Sequence, residues 1–416
     1  MSAVVSSAAG ERRLSLWFPL ALVLFEFAVY IANDMAQPAM LQVTREFGVD
    51  AGWVPLSMTF FLLGGAALSW LTGPLSDRYG RRPVLLGGVV FFIVSCLATY
   101  LVSSIEAYMA LRVLQGMGLC FINAVGYAAV QEAYAEKTAV RVTALMANVA
   151  LTAPMVGPLA GAALVEVAPW RSCFLFIAAC ALLALLGLWW KMPETVRPAA
   201  NPRPLSSMGG DYLQLLRDRR FVLSVLCNPL LALPLMGWIA LSPVLLVEDL
   251  GMSTLAYGLW QLPVFGGLVA GNLLLAARAE AWPLGRSVLL GMWPVVGGLV
   301  LMLAGVLYGQ QQHVFLVLGM TLMAVGEGMS FGVLYRFALM SSSLPKGVVS
   351  AGMSMLCMAG YGIGIELFRW AYIAGSMTGF ALLSVLAALV FVWLARPQVA
   401  VAMAERDDPD LLPQSA

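Results

Sequence analysis

The sequence predicts an all-α polytopic membrane protein with twelve transmembrane helices in two pseudo-symmetric six-helix bundles. Three observations support this fold class. Of the 416 residues, 61% are hydrophobic and only 11% are charged, whereas soluble domains average about 25% charged residues. The apolar residues form long runs that match the thickness of a bilayer. A polar, proline-rich stretch at 191–220 divides these runs into two sets of six.

A transmembrane helix needs about 20 predominantly apolar residues. Twelve runs meet this requirement: 15–39, 52–73, 83–103, 107–131, 139–165, 170–190, 221–246, 254–276, 286–308, 313–338, 347–370 and 375–396. The first run lacks a small-residue cleavage site, so we interpret it as a retained helix rather than a signal peptide. We expect five regions: an N-terminal tail at 1–14, a first bundle at 15–190, a linker at 191–220, a second bundle at 221–396 and an acidic tail at 397–416.

Lysine and arginine residues are distributed unequally between the two sides of the membrane. With twelve spans, both termini and the even-numbered loops fall on one side, which collects 19 of the 23 basic residues. The opposite side holds Arg45, Arg171 and Arg369, and Arg112 lies within a span. Because positively charged loops face the cytoplasm, we expect both termini to be cytoplasmic. The net charge of +1 provides no basic surface for nucleic acid.

The cysteines and the single histidine do not indicate metal or catalytic chemistry. The six cysteines are scattered through apolar runs without a Cys-x-x-Cys pair, as is usual for buried structural cysteines. His313 alone cannot complete a zinc site or a catalytic relay that needs two histidines. We therefore expect no metal, no cofactor and no catalytic residue.

The first predicted helix contains two acids at membrane depth. Glu26 and Asp34 are eight residues apart, or about 12 Å along a helix, and share one polar stripe with Tyr30 and Asn33. Such acids are costly in a bilayer and usually mark function. Because burial penalises the ionised form, they can exchange protons near neutral pH. The alternatives are a structural pair or acids near an interface, since Asp34 lies nearer the outer end and can reach water.

Arg112 is the counter-charge, five or six residues into the fourth predicted span. An arginine stays protonated in a protein and needs a carboxylate, carbonyl or water partner. The second half has a similar glycine pair, Gly326 and Gly328, and aligning it with Gly116 and Gly118 places Leu322 at the position of Arg112. We therefore expect proton handling to lie mainly in the first half.

Two further motifs are informative. Residues 73–82, after the second span, read Gly-Pro-Leu-Ser-Asp-Arg-Tyr-Gly-Arg-Arg. Asp77 in this loop can accept from helix N-terminal amides, and the arginines can pair with a nearby acid. The fifth span carries residues that permit a bend and close packing: Pro154, Gly157, Pro158 and Gly161.

Together, the loop motif, Arg112 with its glycines and the Pro-Gly run of the fifth span resemble the signatures of the major facilitator superfamily. Their combination resembles its twelve-helix drug/proton antiporters, and the resemblance covers essentially the whole chain. It implies a proton-coupled multidrug efflux transporter of the bacterial inner membrane. Such a protein exports lipophilic cations and neutral drugs such as chloramphenicol by alternating access. Its expected partners are small-molecule drugs, protons and the lipid bilayer, and we expect a monomer.

The resemblance also implies roles for individual residues. Proton coupling falls to Asp34, Glu26 and Arg112, and protonation of the acids drives drug release. The implied drug pocket comprises Asp34, Glu26, Asn33, Tyr30, Met58, Leu62, Tyr127, Met146, Ala150, Leu151, Leu235 and Ile239. Simple packing is an equally good interpretation of Met58, Leu62, Met146 and Leu151. The implied cytoplasmic charge latch comprises Asp77, Arg81 and Glu132, and Arg336 either pairs with these acids or extends to the interface.

Two acids of the second half depart from this simple scheme. Glu327 occupies a position where the family pattern has an apolar residue. It is either an additional titrating group or a structural partner. Glu366 lies towards the outer end of the eleventh span, where we expect it to reach the interface. Both acids leave the proton stoichiometry open.

The main alternative function is a proton-coupled or facilitative carrier for a nutrient such as a sugar or an organic acid. The pocket inferred above is apolar and acidic, however, and lacks the amide and basic groups that such substrates require. A membrane enzyme would need a catalytic cluster near an interface, which the sequence does not contain. A sensor or scaffold would usually add a soluble domain.

Overall fold

The computed structural model describes residues 17–196, 205–278, 281–283, 285–309, 311–342, 344 and 346–407. Within these residues, ten helical segments are long and apolar enough to cross a membrane. One of them, Val348–Val401, has 54 residues, and the backbone at Ser376, with a left-handed φ of 51°, divides it into two helices. Each of the two is long enough for one crossing. Glu136–Val167, whose apolar part is shorter, supplies a further crossing. The prediction of twelve transmembrane helices is thus confirmed.

The helices follow one another in the predicted order. The first span is Trp17–Asp34 with Ala36–Phe47, and the others of the first half are Val54–Tyr79, Arg81–Ala98, Ile105–Ala133, Glu136–Val167 and Arg171–Lys191. After a linker helix, Leu205–Arg217, come Arg219–Pro243, Thr254–Arg278, Arg286–Tyr308, Gln312–Met340 and Lys346–Asp407, which holds spans eleven and twelve. The linker helix was not predicted because its 13 residues are too few to span and lie in a Pro- and Gly-rich stretch. The last helix continues into the predicted acidic tail.

The first span consists of two helices that meet at Met35. Pro38 has no amide hydrogen, and its ring clashes with the carbonyl four residues earlier, which is that of Asp34. Since the second piece continues to Phe47, Asp34 lies near the middle of the span. The expectation that Asp34 lies near the outer end and reaches water is therefore wrong, and the residue is 4% exposed.

Apolar side chains form two core clusters. One is built almost entirely from residues before the linker, and the other almost entirely from residues after it. Met58 and Leu62 of the second span join the core of the second half, and Val244 near the end of the seventh span joins that of the first half. The two bundles therefore pack against each other at these side chains.

Glycines bring the second span into backbone contact with the fourth. A Cβ on Gly64 would lie 1.9 Å from the carbonyl oxygen of Val113, and one on Gly116 would lie 1.8 Å from that of Phe61. Only glycine permits this approach. This close packing of the two helices brings Arg112, one residue before Val113, close to the second span.

The eighth and tenth spans meet in the same way. A Cβ on Gly271 would lie 2.1 Å from the carbonyl oxygen of Val325, and one on Gly328 would lie 2.3 Å from that of Leu268. Gly328 is therefore the counterpart of Gly116.

This register corrects the sequence alignment by two residues. Gly326 instead packs on the ninth span, where its Cβ would lie 2.4 Å from the carbonyl oxygen of Gly291. Sequence alone cannot distinguish the two glycines of a Gly-x-Gly pair. The residue at the position of Arg112 is therefore Ala324, not Leu322, and Glu327 takes the position of Gln115.

Candidate functional site

Arg112 is fully buried among hydrogen-bond acceptors. Its Nε donates to Ser57 Oγ at 2.9 Å, and its Nη1 donates to Gln115 Oε1 at 2.9 Å and to the Ala32 carbonyl at 3.2 Å. The guanidinium also lies over the ring of Phe61, 4.7 Å from the centroid. A buried charge requires such compensation. Sequence reasoning missed Ser57 and Gln115, although Gln115 follows Arg112 by one helical turn.

Asn33 connects Arg112 to Asp34. Nη2 of Arg112 donates to Asn33 Oδ1 at 3.3 Å, and Asn33 Nδ2 donates to Asp34 Oδ1 at 3.2 Å. Because arginine only donates and an ionised carboxylate only accepts, the two partners fix the orientation of the amide. Arg112 and Asp34 also interact electrostatically. A change in the protonation of Asp34 can therefore reach Arg112 through a single side chain.

Glu26 is fully buried in a less polar environment. The hydroxyl of Tyr127 donates to its Oε1 at 3.1 Å, whereas Oε2 has no hydrogen-bond partner among the described residues. Tyr127 directly follows the π-helical turn Ile122–Gly126 in the fourth span, and such turns are frequent at functional sites. Tyr30 interacts electrostatically with both Glu26 and Asp34.

The glycines of the fifth span allow it to pack directly on the first. A Cβ on Gly157 would lie 2.5 Å from Cβ of Asp34, and one on Gly161 would lie 2.6 Å from the carbonyl oxygen of Met35. Pro154 and Pro158 lie within the same continuous helix. The Pro-Gly run therefore encloses Asp34 from one side.

The predicted apolar pocket residues lie largely in the packed cores. Five of them are at most 7% exposed: Met58, Leu62, Met146, Leu235 and Ile239. The side chains of Ala150 and Leu151 lie outside the part of the chain that the structure describes. A drug-binding role for these seven residues stays a prediction.

The predicted latch residues Asp77, Arg81 and Glu132 are in contact. Arg81 Nη2 pairs with Asp77 Oδ1 at 2.6 Å and with Glu132 Oε1 at 2.9 Å. Its Nη1 donates to Ser76 Oγ. The cluster ties the second, third and fourth spans together. Arg336 is exposed and takes part in none of the ion pairs found among the described residues.

Glu194, just after the sixth span, completes this cluster and was not predicted. Its carboxylate accepts from the backbone N–H of Arg81 at 2.8 Å and of Arg82 at 3.2 Å. It thus caps the third span, where unpaired amides favour an acid, a role that the sequence suggested for Asp77. Thr195 Oγ1 donates to Glu132 Oε2 at 2.6 Å. No local signal connects residues so distant in sequence.

The two halves also meet at the opposite end from Arg81. Arg45 Nη2 pairs with Glu248 Oε1 at 2.6 Å, joining the ends of the first and seventh spans. The eighth span approaches the fifth closely, since a Cβ on Gly258 would lie 3.0 Å from Cα of Leu159. These contacts hold the halves together at that end.

The two remaining acids of the second half differ. Glu366 accepts from Arg369 Nε at 2.9 and 3.0 Å and from Trp370 Nε1 at 2.8 Å, so its charge is compensated. Glu327 is 5% exposed, and its Oε2 has no hydrogen-bond partner in the described structure.

The two-bundle fold and its buried polar groups are those of a polytopic membrane transporter. The chain belongs to the Major Facilitator Superfamily, whose family model matches residues 22–365. The predicted family is thereby confirmed.

Relatives match the chain over most of its length. It is 48% identical over 391 residues to the multidrug transporter MdfA of Edwardsiella ictaluri, covering 94% of this chain and 95% of the relative. It is 47% identical over 402 residues to the chloramphenicol resistance protein CraA of Acinetobacter baumannii, covering 96% and 97%. The solved D-xylose-proton symporter shares the fold, with a TM-score of 0.68, 17% identity and coverage of 91% of this chain and 97% of the symporter.

Proposed function

We propose that this protein is a proton-coupled multidrug exporter that exchanges protons for lipophilic cations and for neutral drugs such as chloramphenicol. The observation that carries the proposal is the pair of buried acids in the first span. Asp34 is joined through Asn33 to Arg112, and Glu26 has one oxygen without a hydrogen-bond partner among the described residues. The names of the multidrug and chloramphenicol-resistance relatives support the substrate class.

Exchange follows from competition for the same carboxylates. An ionised acid in a low-dielectric site attracts a cation, whereas the protonated acid does not. Drug and proton therefore exclude each other, and each stabilises a different conformation according to its differential affinity. Asp34 transmits its protonation state to Arg112, whereas Glu26, which accepts a hydrogen bond from Tyr127, receives the charge of the drug. Neutral drugs are held by apolar and methionine side chains, which repack readily.

Alternating access uses the two ends of the molecule. The end that carries the Arg81 cluster is cytoplasmic, and both termini lie on that side of the bacterial inner membrane. In this orientation the Arg45–Glu248 pair joins the halves on the outer side. Breaking this pair, together with a rearrangement of the Arg81 cluster, accompanies the change to the outward-open state. The transporter works as a monomer.

Inverted membrane vesicles that hold an acidic interior test this function. Tetraphenylphosphonium and chloramphenicol are added separately, and the pH gradient is followed with a fluorescent amine. Both drugs should dissipate the gradient with the unaltered protein. The double variant Asp34→Asn, Glu26→Gln should not respond.

The exposed acid Glu106 provides the control, since Glu106→Gln should behave like the unaltered protein. If neither drug moves protons although the protein is inserted and folded, the proposal is wrong.

A further inference from the structure

Glu327 is a buried acid that the mechanism above does not use. It lies in the tenth span, is 5% exposed, and its Oε2 has no hydrogen-bond partner among the described residues. Glu327 takes part in none of the ion pairs found among the described residues. Glu366 in the eleventh span differs from Glu327, because its carboxylate accepts hydrogen bonds from Arg369 and Trp370, as expected of an acid with a structural role.

The packing of its neighbours directs Glu327 into the second bundle. Gly326 faces the ninth span and Gly328 faces the eighth. Glu327 lies between these two directions on the helix, and its burial places it on the interior side. There it interacts electrostatically with Tyr361 of the eleventh span, which also interacts with Cys357.

Tyrosines connect this acid to the first bundle. Tyr361 interacts electrostatically with Tyr30 as well as with Glu327. Tyr30 in turn interacts with Glu26 and Asp34. Electrostatic interactions therefore link the acid of the second half to the acids of the first half through Tyr361 and Tyr30.

We propose that Glu327 is a further proton-binding group of the transport cycle, located in the second bundle in addition to Asp34 and Glu26 in the first. An ionised carboxylate without a counter-charge is strongly disfavoured in an apolar interior, so Glu327 is protonated in this state. When a cationic substrate binds between the halves, the O–H bond breaks, its electron pair stays on the carboxylate, and the proton leaves to the cytoplasmic water. The substrate cation replaces the lost positive charge. The inference rests on the proposed function and adds one proton to its stoichiometry.

Counting protons per bound substrate tests this inference. The purified full-length protein is placed in weakly buffered detergent solution at neutral pH, and tetraphenylphosphonium is added. A pH indicator measures the protons released, and equilibrium dialysis measures the cation bound. The unaltered protein should release more than one proton per cation. Glu327→Gln should release fewer, by up to one, while Glu366→Gln matches the unaltered protein.

Equal proton release by Glu327→Gln and the unaltered protein, at equal cation binding, would overturn the inference while leaving the proposed function intact. Binding of the cation with no proton release by the unaltered protein would instead contradict both. Should Glu327→Gln fail to fold, infrared difference spectra of Glu327→Asp decide. The carbonyl band of a protonated acid that disappears on cation binding should shift in this variant, and an unshifted band would overturn the inference.

Discussion

The two halves of this transporter share a scaffold but not a polar core. The contact of Gly64 and Gly116 between the second and fourth spans is repeated by Gly271 and Gly328 between the eighth and tenth. At the position of Arg112, however, the second half has Ala324. The hydrogen-bonded cluster of the first half therefore has no basic counterpart in the second.

This difference separates what the fold needs from what coupling needs. Both bundles need close helix packing, because transmembrane helices associate largely through van der Waals contacts that small residues such as glycine permit. A buried arginine with several acceptors is costly and is kept in one bundle only, next to Asp34. We infer that the first half couples protons to transport through Arg112. In the second half, the corresponding buried charged residue is Glu327, whose Oε2 has no hydrogen-bond partner among the described residues. Four predictions test this asymmetry, beginning with the largest expected effect.

Alanine at the packing glycines should damage both halves equally. In Gly116→Ala and Gly328→Ala, the new Cβ would meet a backbone carbonyl at 1.8 and 2.3 Å, so the helices must separate, at a cost of about 1–3 kcal/mol or more. Size-exclusion chromatography and thermal unfolding should show little folded protein for both variants. Gly73→Ala and Gly266→Ala, where nothing lies within 4 Å, are the controls. A large difference between the two packing variants would contradict the shared scaffold.

Replacing Arg112 should affect transport far more than changing its counterpart. Arg112→Met preserves volume but removes the donors to Ser57 Oγ, Gln115 Oε1 and the Ala32 carbonyl, at about 1–3 kcal/mol for each acceptor that finds no other partner. Thermal stability should fall, and drug-driven proton movement should be lost. Ala324→Ser should leave both properties nearly unchanged. If a folded Arg112→Met protein retained full coupling, this result would contradict the proposed asymmetry between the two halves.

The Asn33 link should contribute less than Arg112 itself. Asn33→Leu removes one hydrogen bond to a charged group on each side, worth about 1.5–3 kcal/mol, so coupled export should fall by roughly 10- to 100-fold. Drug binding measured without a gradient should change less. Asn272→Leu is the matched variant in the second half, because the hydrogen bond that Asn272 donates in the described structure stays within its own helix, at the Leu268 carbonyl. Similar losses in both variants would show that the link has no special role.

Weakening the Glu194 cap should have the smallest effect. Glu194→Gln removes the negative charge at the N-terminal end of the third span. Such a charge stabilises a helix by about 0.3–1 kcal/mol. We expect a changed rate of turnover with unchanged drug affinity, measured in proteoliposomes. Glu106→Gln serves as the reference. Lower affinity with unaltered turnover would argue against a role in conformational change.

Much of the fold could be predicted because the bilayer imposes a simple length rule. Twelve apolar runs and the basic loops sufficed for the number and order of the spans. Pro38 accounts for the break of the first span at Met35. It does not predict how far the second helix of that span, Ala36–Phe47, continues. The polar residues near the end of Ala36–Phe47, Thr44-Arg45-Glu46, hide that the helix continues, so the sequence predicts Asp34 too near the end of the span.

The site could be predicted only where a residue violates the apolar pattern. Glu26, Asp34 and Arg112 stand out because charge is rare in a span. Ser57 and Glu194 do not, because their roles depend on which helix faces them in space. The bridging role of Asn33 likewise requires the positions of two partners, and a Gly-x-Gly pair cannot reveal which glycine packs on which neighbour.

Transport of chloramphenicol in proteoliposomes tests the central claim most directly, because a neutral drug does not need a carboxylate in order to bind. The protein carrying Asp34→Asn and Glu26→Gln is compared with the unaltered protein, both for uptake driven by a pH gradient and for exchange of labelled against unlabelled drug without a gradient. We predict that the double variant loses the gradient-driven accumulation but keeps the exchange. Accumulation by the double variant at the level of the unaltered protein would contradict the account, since the protons would then be coupled elsewhere.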